Sequence, residues 1–193
     1  DAAVSGKGSL HPDGALRAFA HVVVPELSAV QALHEADASL RGRLLADLEL
    51  SRAHDDTLSA NVSFDLGSFA RQDLRAERVW LSGWLGGSVE RPLVRLEGGA
   101  SNMTLQKRKL ARASLQLAGG PTHYVFSAQA GRGLLDASGW AEHAQRDWDA
   151  SFDLTSKLPQ GLLRVQLPRL RYAPEGTLAV SQLRAQLQAA KLL

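Results

Sequence analysis

From Thr57 to Leu66 the chain alternates without a break: Leu58, Ala60, Val62, Phe64 and Leu66 on even positions, Thr57, Ser59, Asn61, Ser63 and Asp65 on odd ones. Successive side chains of a β-strand point to opposite faces, so this spacing predicts a strand with one dry and one wet face. Trp148, Ala150, Phe152 and Leu154 repeat the pattern against Asp147, Asp149, Ser151 and Asp153. So do Leu40, Leu44, Ala46, Leu48 and Leu50 (with Leu45 the exception), then Ala113 to Leu117, Tyr124 to Ala130, and Leu163 to Leu167. Such segments recur about every 10 to 12 residues between Gly, Pro or charged pairs, the rhythm of an antiparallel meander.

Two phase slips interrupt the alternation. Leu74 and Ala76 give way to Val79, Leu81 and Leu85, and Leu178 and Val180 give way to Leu183, Ala185 and Leu187. A bulge or a tight turn at each place returns the apolar residues to one side. One segment has a different period. In Pro25 to Ala36, Leu27, Val30 and Leu33 stand three apart with proline near the start, which predicts one short helix near residues 25–36. Residues 1–14 are rich in Gly and Ser and are expected to be loosely held; residues 15–193 are expected to form one β segment.

An apolar residue, any residue, then glycine recurs at Leu40-Arg41-Gly42, Leu81-Ser82-Gly83, Leu96-Glu97-Gly98, Leu117-Ala118-Gly119 and Ala137-Ser138-Gly139. Glycine at those places ends a strand or lets the sheet curl.

Composition changes this picture little. Hydrophobic residues make up 45% of the chain and aromatics 6%, so Leu, Ala and Val carry the apolar load. The net charge is +2 with both signs interspersed, and no basic stripe with aromatics between them points to nucleic acid. Gln106-Lys107-Arg108-Lys109 reads as a solvated hairpin turn. There is no cysteine, hence neither a disulfide framework nor a thiolate metal site. No apolar run approaches the roughly 18 residues of a membrane span. The chain starts without Met and reads as a segment excised from a longer, repetitive protein.

Candidate chemistry is sparse. Gly131-Arg132-Gly133 lacks the third glycine and the helix of a phosphate loop, and no two histidines stand at helical metal-ligand spacing. His54-Asp55-Asp56 reads as an acidic turn between strands. Asp147, Asp149 and Asp153 read as the solvent face of a strand. Trp80, Trp84, Trp140 and Trp148 could form a sugar-stacking platform, but Trp140 and Trp148 are spaced to pack across a hairpin. No catalytic residue, metal ligand or cofactor site is expected, and the chain is not expected to be an enzyme.

So much one-sided sheet has to cover its apolar face. A closed β-sandwich, serving as an adhesin or carbohydrate-binding module, is one solution. A trough filled by a ligand is another. An acyl chain gains roughly 0.8 kcal/mol per methylene removed from water, so a 16-carbon tail gains about 12 kcal/mol without any polar site.

Several segments, in order, carry a family likeness: Val24-Pro25-Glu26-Leu27-Ser28-Ala29-Val30; Ser39-Leu40-Arg41-Gly42-Arg43-Leu44-Leu45 through Leu50; Glu90-Arg91-Pro92-Leu93 through Ala100; Leu110 through Gly119; His123-Tyr124-Val125-Phe126; Ser138-Gly139-Trp140; and Arg146-Asp147-Trp148 through Phe152. Over roughly residues 22–190 the chain resembles the TamB family, the inner-membrane component of the bacterial translocation and assembly module. It departs from the family where His34-Glu35-Ala36-Asp37 replaces the Pro-Gly-rich turn after the short helix.

The resemblance implies an all-β fold, an antiparallel meander curled into an elongated, U-shaped groove. It also implies a periplasmic location within a protein anchored in the bacterial inner membrane. The implied work is to pass phospholipid acyl chains between membranes, or to support outer-membrane protein assembly and secretion, beside a TamA-like outer-membrane partner contacted through other parts of the protein. Cargo would be acyl chains or unfolded outer-membrane strands. The residues expected to line the groove are the in-phase apolar ones: Leu48, Leu58, Val62, Phe64, Leu81, Leu96, Leu117, Phe126, Phe152, Leu154 and Val165. Unpaired edges predict end-to-end self-association of the isolated segment.

Overall fold

The computed structural model describes residues 2–55, 57–88, 91–105, 108–144, 147–158, 160–173 and 176–189. Thirteen strands form one antiparallel sheet. In chain order they are β1 (Ala3–Leu10), β2 (Leu16–Val24), β3 (Arg41–Arg52), β4 (Leu58–Arg71), β5 (Leu74–Ser88), β6 (Arg91–Leu105), β7 (Arg108–Gly120), β8 (His123–Ala130), β9 (Leu135–Ala144), β10 (Asp147–Leu158), β11 (Gly161–Tyr172), β12 (Leu178–Ser181) and β13 (Arg184–Ala189). Each pairs with its sequence neighbours, except that β12 and β13 both lie along β11. The Gly/Ser-rich stretch at the start supplies the edge strand β1, in which every residue is exposed.

The sheet stays open. Contacts run only between strands adjacent in the topology, the two ends do not meet, and among the described residues no second layer covers either face. This sets aside the closed sandwich and leaves the all-β meander, curled but not shut into a barrel. Among the described residues only Val24, Leu27, Leu66, Ala76 and Ala100 are buried hydrophobic ones, and no side chain is wholly enclosed.

The helical signal at residues 25–36 resolves into a 3-10 turn, Leu27–Ala29, and a short helix α1, Gln31–Ala36. Pro25 cannot donate to a ladder, so strand pairing stops there. The Glu26 carboxylate then caps the turn by accepting from the Ser28 amide at 3.2 Å. The three-residue spacing drives Leu27 into a cluster with Val24 and Leu66, against which Val30, Leu33, Leu40, Phe64 and Phe69 pack. One end of the apolar face is thereby covered by the chain itself.

Both phase slips are real, with distinct causes. In β4 and β6, Ser68 and Asn102 take up left-handed backbone at φ 53° and 47°. They flank Glu77 of β5, whose carboxylate accepts from the Asn102 side-chain amide. The ladder skips Ser68 and Glu77 but keeps its register from Gly67↔Arg78 to Phe69↔Ala76, so neighbouring strands slip together and Phe69 returns to the dry side. The later slip is a strand break. Pro168 of β11 lacks an N–H, and opposite it the chain turns at Gln182, φ 56°, between β12 and β13.

Candidate functional site: an uncovered apolar face

Residues paired across a ladder project to the same side, so the register decides which residues share a face. Leu48 pairs with Val62, Val62 with Gly83, Gly83 with Leu96, Leu96 with Leu117, Leu117 with Phe126, Phe126 with Gly139 and Gly139 with Phe152. This is one unbroken row across eight strands. The next row runs from Phe64 through Leu81, Gly98, Leu115, Ala128 and Ala137 to Leu154 and Val165. Leu58 pairs with Gly87 four residues to the other side of the central row, on the same face. All eleven residues expected to line a groove therefore stand on one side of the sheet.

Their exposure fits an open surface. Leu48 is 45% exposed and the other ten are partly exposed. Of the eleven, Phe64 alone packs against the helix-covered cluster, which caps one end of the floor across β2–β5 at Val24, Leu44, Leu66 and Val79; among the described residues the floor beyond that end carries no cover. Toward the opposite rim the floor dips into a hollow of about 280 Å³ lined by Leu50, Leu58, Ala60, Leu85 and Pro92.

Glycine shapes this floor. A side chain at Gly139 would come within 2.5 Å of the Phe126 ring, which leans over it. The bare backbone lets Phe126 and Phe152, two strands apart, close over Gly139 with ring centroids 6.0 Å apart. Gly83 does the same for Leu96, whose methyl would sit 2.3 Å from an added Cβ. Four glycines of the sequence repeat, Gly83, Gly98, Gly119 and Gly139, are thus the complement of large residues that lean over them, Leu96, Leu81, Tyr124 and Phe126; Gly42 instead meets the backbone of β4.

The opposite face is polar. Asp47 accepts from the Ser63 hydroxyl at 3.3 Å and lies 2.6 Å from His21 Nδ1. Asp149 receives Arg169 at 2.7 Å and Arg171 at 3.1 Å, and Gln166 donates to Asp153 at 3.0 Å. The alternating aspartates of β10 are therefore rungs of a polar ladder, Asp147 and Asp149 paired with arginine and Asp153 with the Gln166 amide. The Arg169 guanidinium first, then Arg171, holds the Asp149 carboxyl down to about 2. His54 reaches the Asp13 carbonyl at 2.8 Å and the Asp55 carboxylate accepts from the Thr57 amide at 3.1 Å, so both tie turns; Asp56 lies outside the described residues, as do Gln106 and Lys107 of the expected β6–β7 turn. Among the described residues no group of three potential metal ligands gathers.

The tryptophans divide otherwise than their spacing suggests. Trp140 pairs with Ser151 on the polar face and stacks on His123, whereas Trp148 pairs with His143 on the apolar face and packs on Tyr124. The two do not meet across the β9–β10 hairpin, because His143, which faces Trp148 in the ladder, stands an odd number of residues, three, from Trp140 on the same strand. Leu44, Leu85, Leu115, Tyr124, Trp148 and Leu167 also lie on the apolar face; the alternation marks them as dry positions, but they are not among the eleven residues expected to line the groove.

Together these features define a single-layer, open antiparallel sheet with one continuous apolar face and no enclosed polar centre. Comparison with family models, with curated proteins and with solved structures finds no match.

Proposed function

We propose that this chain is a hydrophobic-groove segment that holds extended apolar cargo, acyl chains foremost, along a dry floor without fixing their identity by a polar site. The observation that carries the reading is the cross-strand row from Leu48 to Phe152, uncovered by any second layer. At about 4.8 Å per strand, the strands from β1 to β11 make a trough of roughly 50 Å. That is ample for a 16-carbon tail, whose transfer from water releases about 12 kcal/mol at 0.8 kcal/mol per methylene. With the TamB resemblance, the reading extends to a periplasmic segment of an inner-membrane-anchored protein that passes phospholipid tails or supports outer-membrane protein assembly with a TamA-like partner.

A photoreactive fatty acid tests the cargo. Labelling is expected around Leu117 and Phe152 and weakly at Phe64, which the short helix shields. Labelling confined to Trp84 and Trp140 on the polar side, or none at saturating ligand, would refute the groove.

A further inference from the structure

The register assembles a charged surface that the linear sequence hides. On the polar face, Arg43 of β3 pairs with Gly67, Gly67 with Arg78, Arg78 with Ser101, and Ser101 with Arg112 of β7. A second row beside it runs Arg41, Ala70, Arg75, Thr104 and Lys109. Cations thus stand on alternate strands, with Gly, Ala, Ser or Thr between them, over a strip about 19 Å long at 4.8 Å per strand. All six are exposed. Arg78 donates to the Asp65 carboxylate at 2.7 Å, and Arg41 to the carbonyls of Ala38 and Leu40. Of the carboxylates beside the rows, Glu26 and Glu77 accept from the Ser28 and Asn102 amides, Asp37 is taken by Arg71 at 2.6 Å, and Asp73 stands in the β4–β5 turn two residues from Arg75.

The strip has a seat as well as a charge. Arg78, Trp80, Ser101, Arg112 and Ser114 line a depression of about 340 Å³. Two guanidinium groups and two hydroxyls around one hollow match the oxygens of a phosphate ester. The Arg43 guanidinium extends over Gly67, where no side chain competes. Both rows lie at the rim where β4 turns into β5, on the reverse of the apolar floor.

We propose that this arginine strip docks the rim of the sheet on an anionic phospholipid surface, with one headgroup phosphate seated between Arg78 and Arg112. A broad, gently curved face with cations spread in two rows suits a plane of headgroups. A nucleic-acid strand would call for aromatic platforms between the cations, and Trp80 is the one aromatic there. The inference stands apart from the acyl-chain reading: it concerns the polar face and makes its own prediction.

The experiment is co-sedimentation of the chain with phosphatidylcholine vesicles with and without phosphatidylglycerol. Each arginine near an anionic surface contributes roughly fivefold, so replacing Arg43, Arg75 and Arg112 together with glutamine is expected to weaken binding roughly a hundredfold. Replacing Lys7, Arg17 and Arg184, which remove the same charge elsewhere, is expected to weaken it far less. Binding is expected to vanish at 1 M salt, where the Debye length falls to about 3 Å. Fatty-acid capture by the strip variant is expected to persist, which also shows that it folds. Equal losses in the two triple variants would overturn the proposal, as would binding indifferent to phosphatidylglycerol. So would displacement from the vesicles by single-stranded DNA held more tightly than the lipid.

Discussion

Gly139 is the position at which the floor of the groove is most sharply determined, and Gly139→Ala is the perturbation that tests it. The added methyl would meet the Ser151 carbonyl oxygen at 2.3 Å and the Phe126 ring at 2.5 and 2.7 Å. The ring can swing away; the carbonyl belongs to the neighbouring strand and cannot move without opening the β9–β10 ladder. Overpacking of this kind costs about 1–3 kcal/mol. Displacing Phe126 also forfeits its stacking on Phe152, worth about 0.5–1.5 kcal/mol. Against this, alanine restricts the unfolded chain and returns about 0.4–1 kcal/mol. The net expectation is a loss of about 1–3 kcal/mol, read as a lower denaturant midpoint at unchanged slope. In Phe126→Ala the ring component is already gone, so adding Gly139→Ala there is expected to cost about 1 kcal/mol less than in the wild type. A neutral Gly139→Ala, or strictly additive effects, would show that the rings do not close over this glycine.

Other outcomes can be checked alongside it. Leu66→Ala removes a side chain that is only 7% exposed beneath the short helix, and is expected to cost about 2–4 kcal/mol and to speed amide exchange in α1. Asp149, held down to about 2 by Arg169 and Arg171, contributes stability that is complete above the unfolded carboxyl range near 4 and fades as the pH falls from about 4 to about 2; Asp149→Asn is expected to flatten that part of the stability profile relative to wild type. End-to-end association through β1 is expected to weaken in Val4→Lys, since Val4 is 74% exposed on an unpaired edge; sedimentation velocity over a concentration series reads it, and an unchanged weight distribution would refute the edge contact.

Much of this architecture is legible in the sequence because a period of two leaves little freedom. Once Leu58 to Leu66 alternate, the side of each residue follows, and the ladder only has to keep apolar positions in step. That is why residues chosen from eight separate strands, from Leu48 to Val165, arrive on one face. The slip after Ala76 was visible too, though not its device: left-handed backbone at Ser68 and Asn102 leaves no compositional mark. Three features escaped the pattern. The faces of Trp140 and Trp148 depend on parity counted through the ladder, not on distance along the chain. The arginine rows combine residues from three strands up to 69 positions apart, each unremarkable in its own segment, so interspersed charge in sequence became clustered charge in space. The short helix shows in its three-residue spacing, but that it covers Val24 and Leu66 depends on where β2 and β4 lie in the sheet.

The sheet remains open because its inner face is built to lie against itself and no further layer. A second sheet would need a floor of roughly even height at the 10 Å spacing of sandwiches. Here glycines interrupt each row of large side chains: Gly83 beside Leu96, Gly139 between Phe126 and Phe152, Gly98 between Leu81 and Leu115. Leucine and phenylalanine fold sideways into the gaps, which lowers their exposure without a partner and leaves a corrugated surface. Such a surface suits flexible, narrow cargo, which can follow the corrugation, and disfavours a rigid sheet, which cannot. The chain supplies its own cover only where Leu27, Val30 and Leu33 dock, and there the floor is flush: Val24, Leu44, Leu66 and Val79 succeed one another across four strands without a glycine. Filling Gly83, Gly98 and Gly139 at once, in a variant that still folds, should therefore close the trough to acyl chains while leaving the helix-covered end intact.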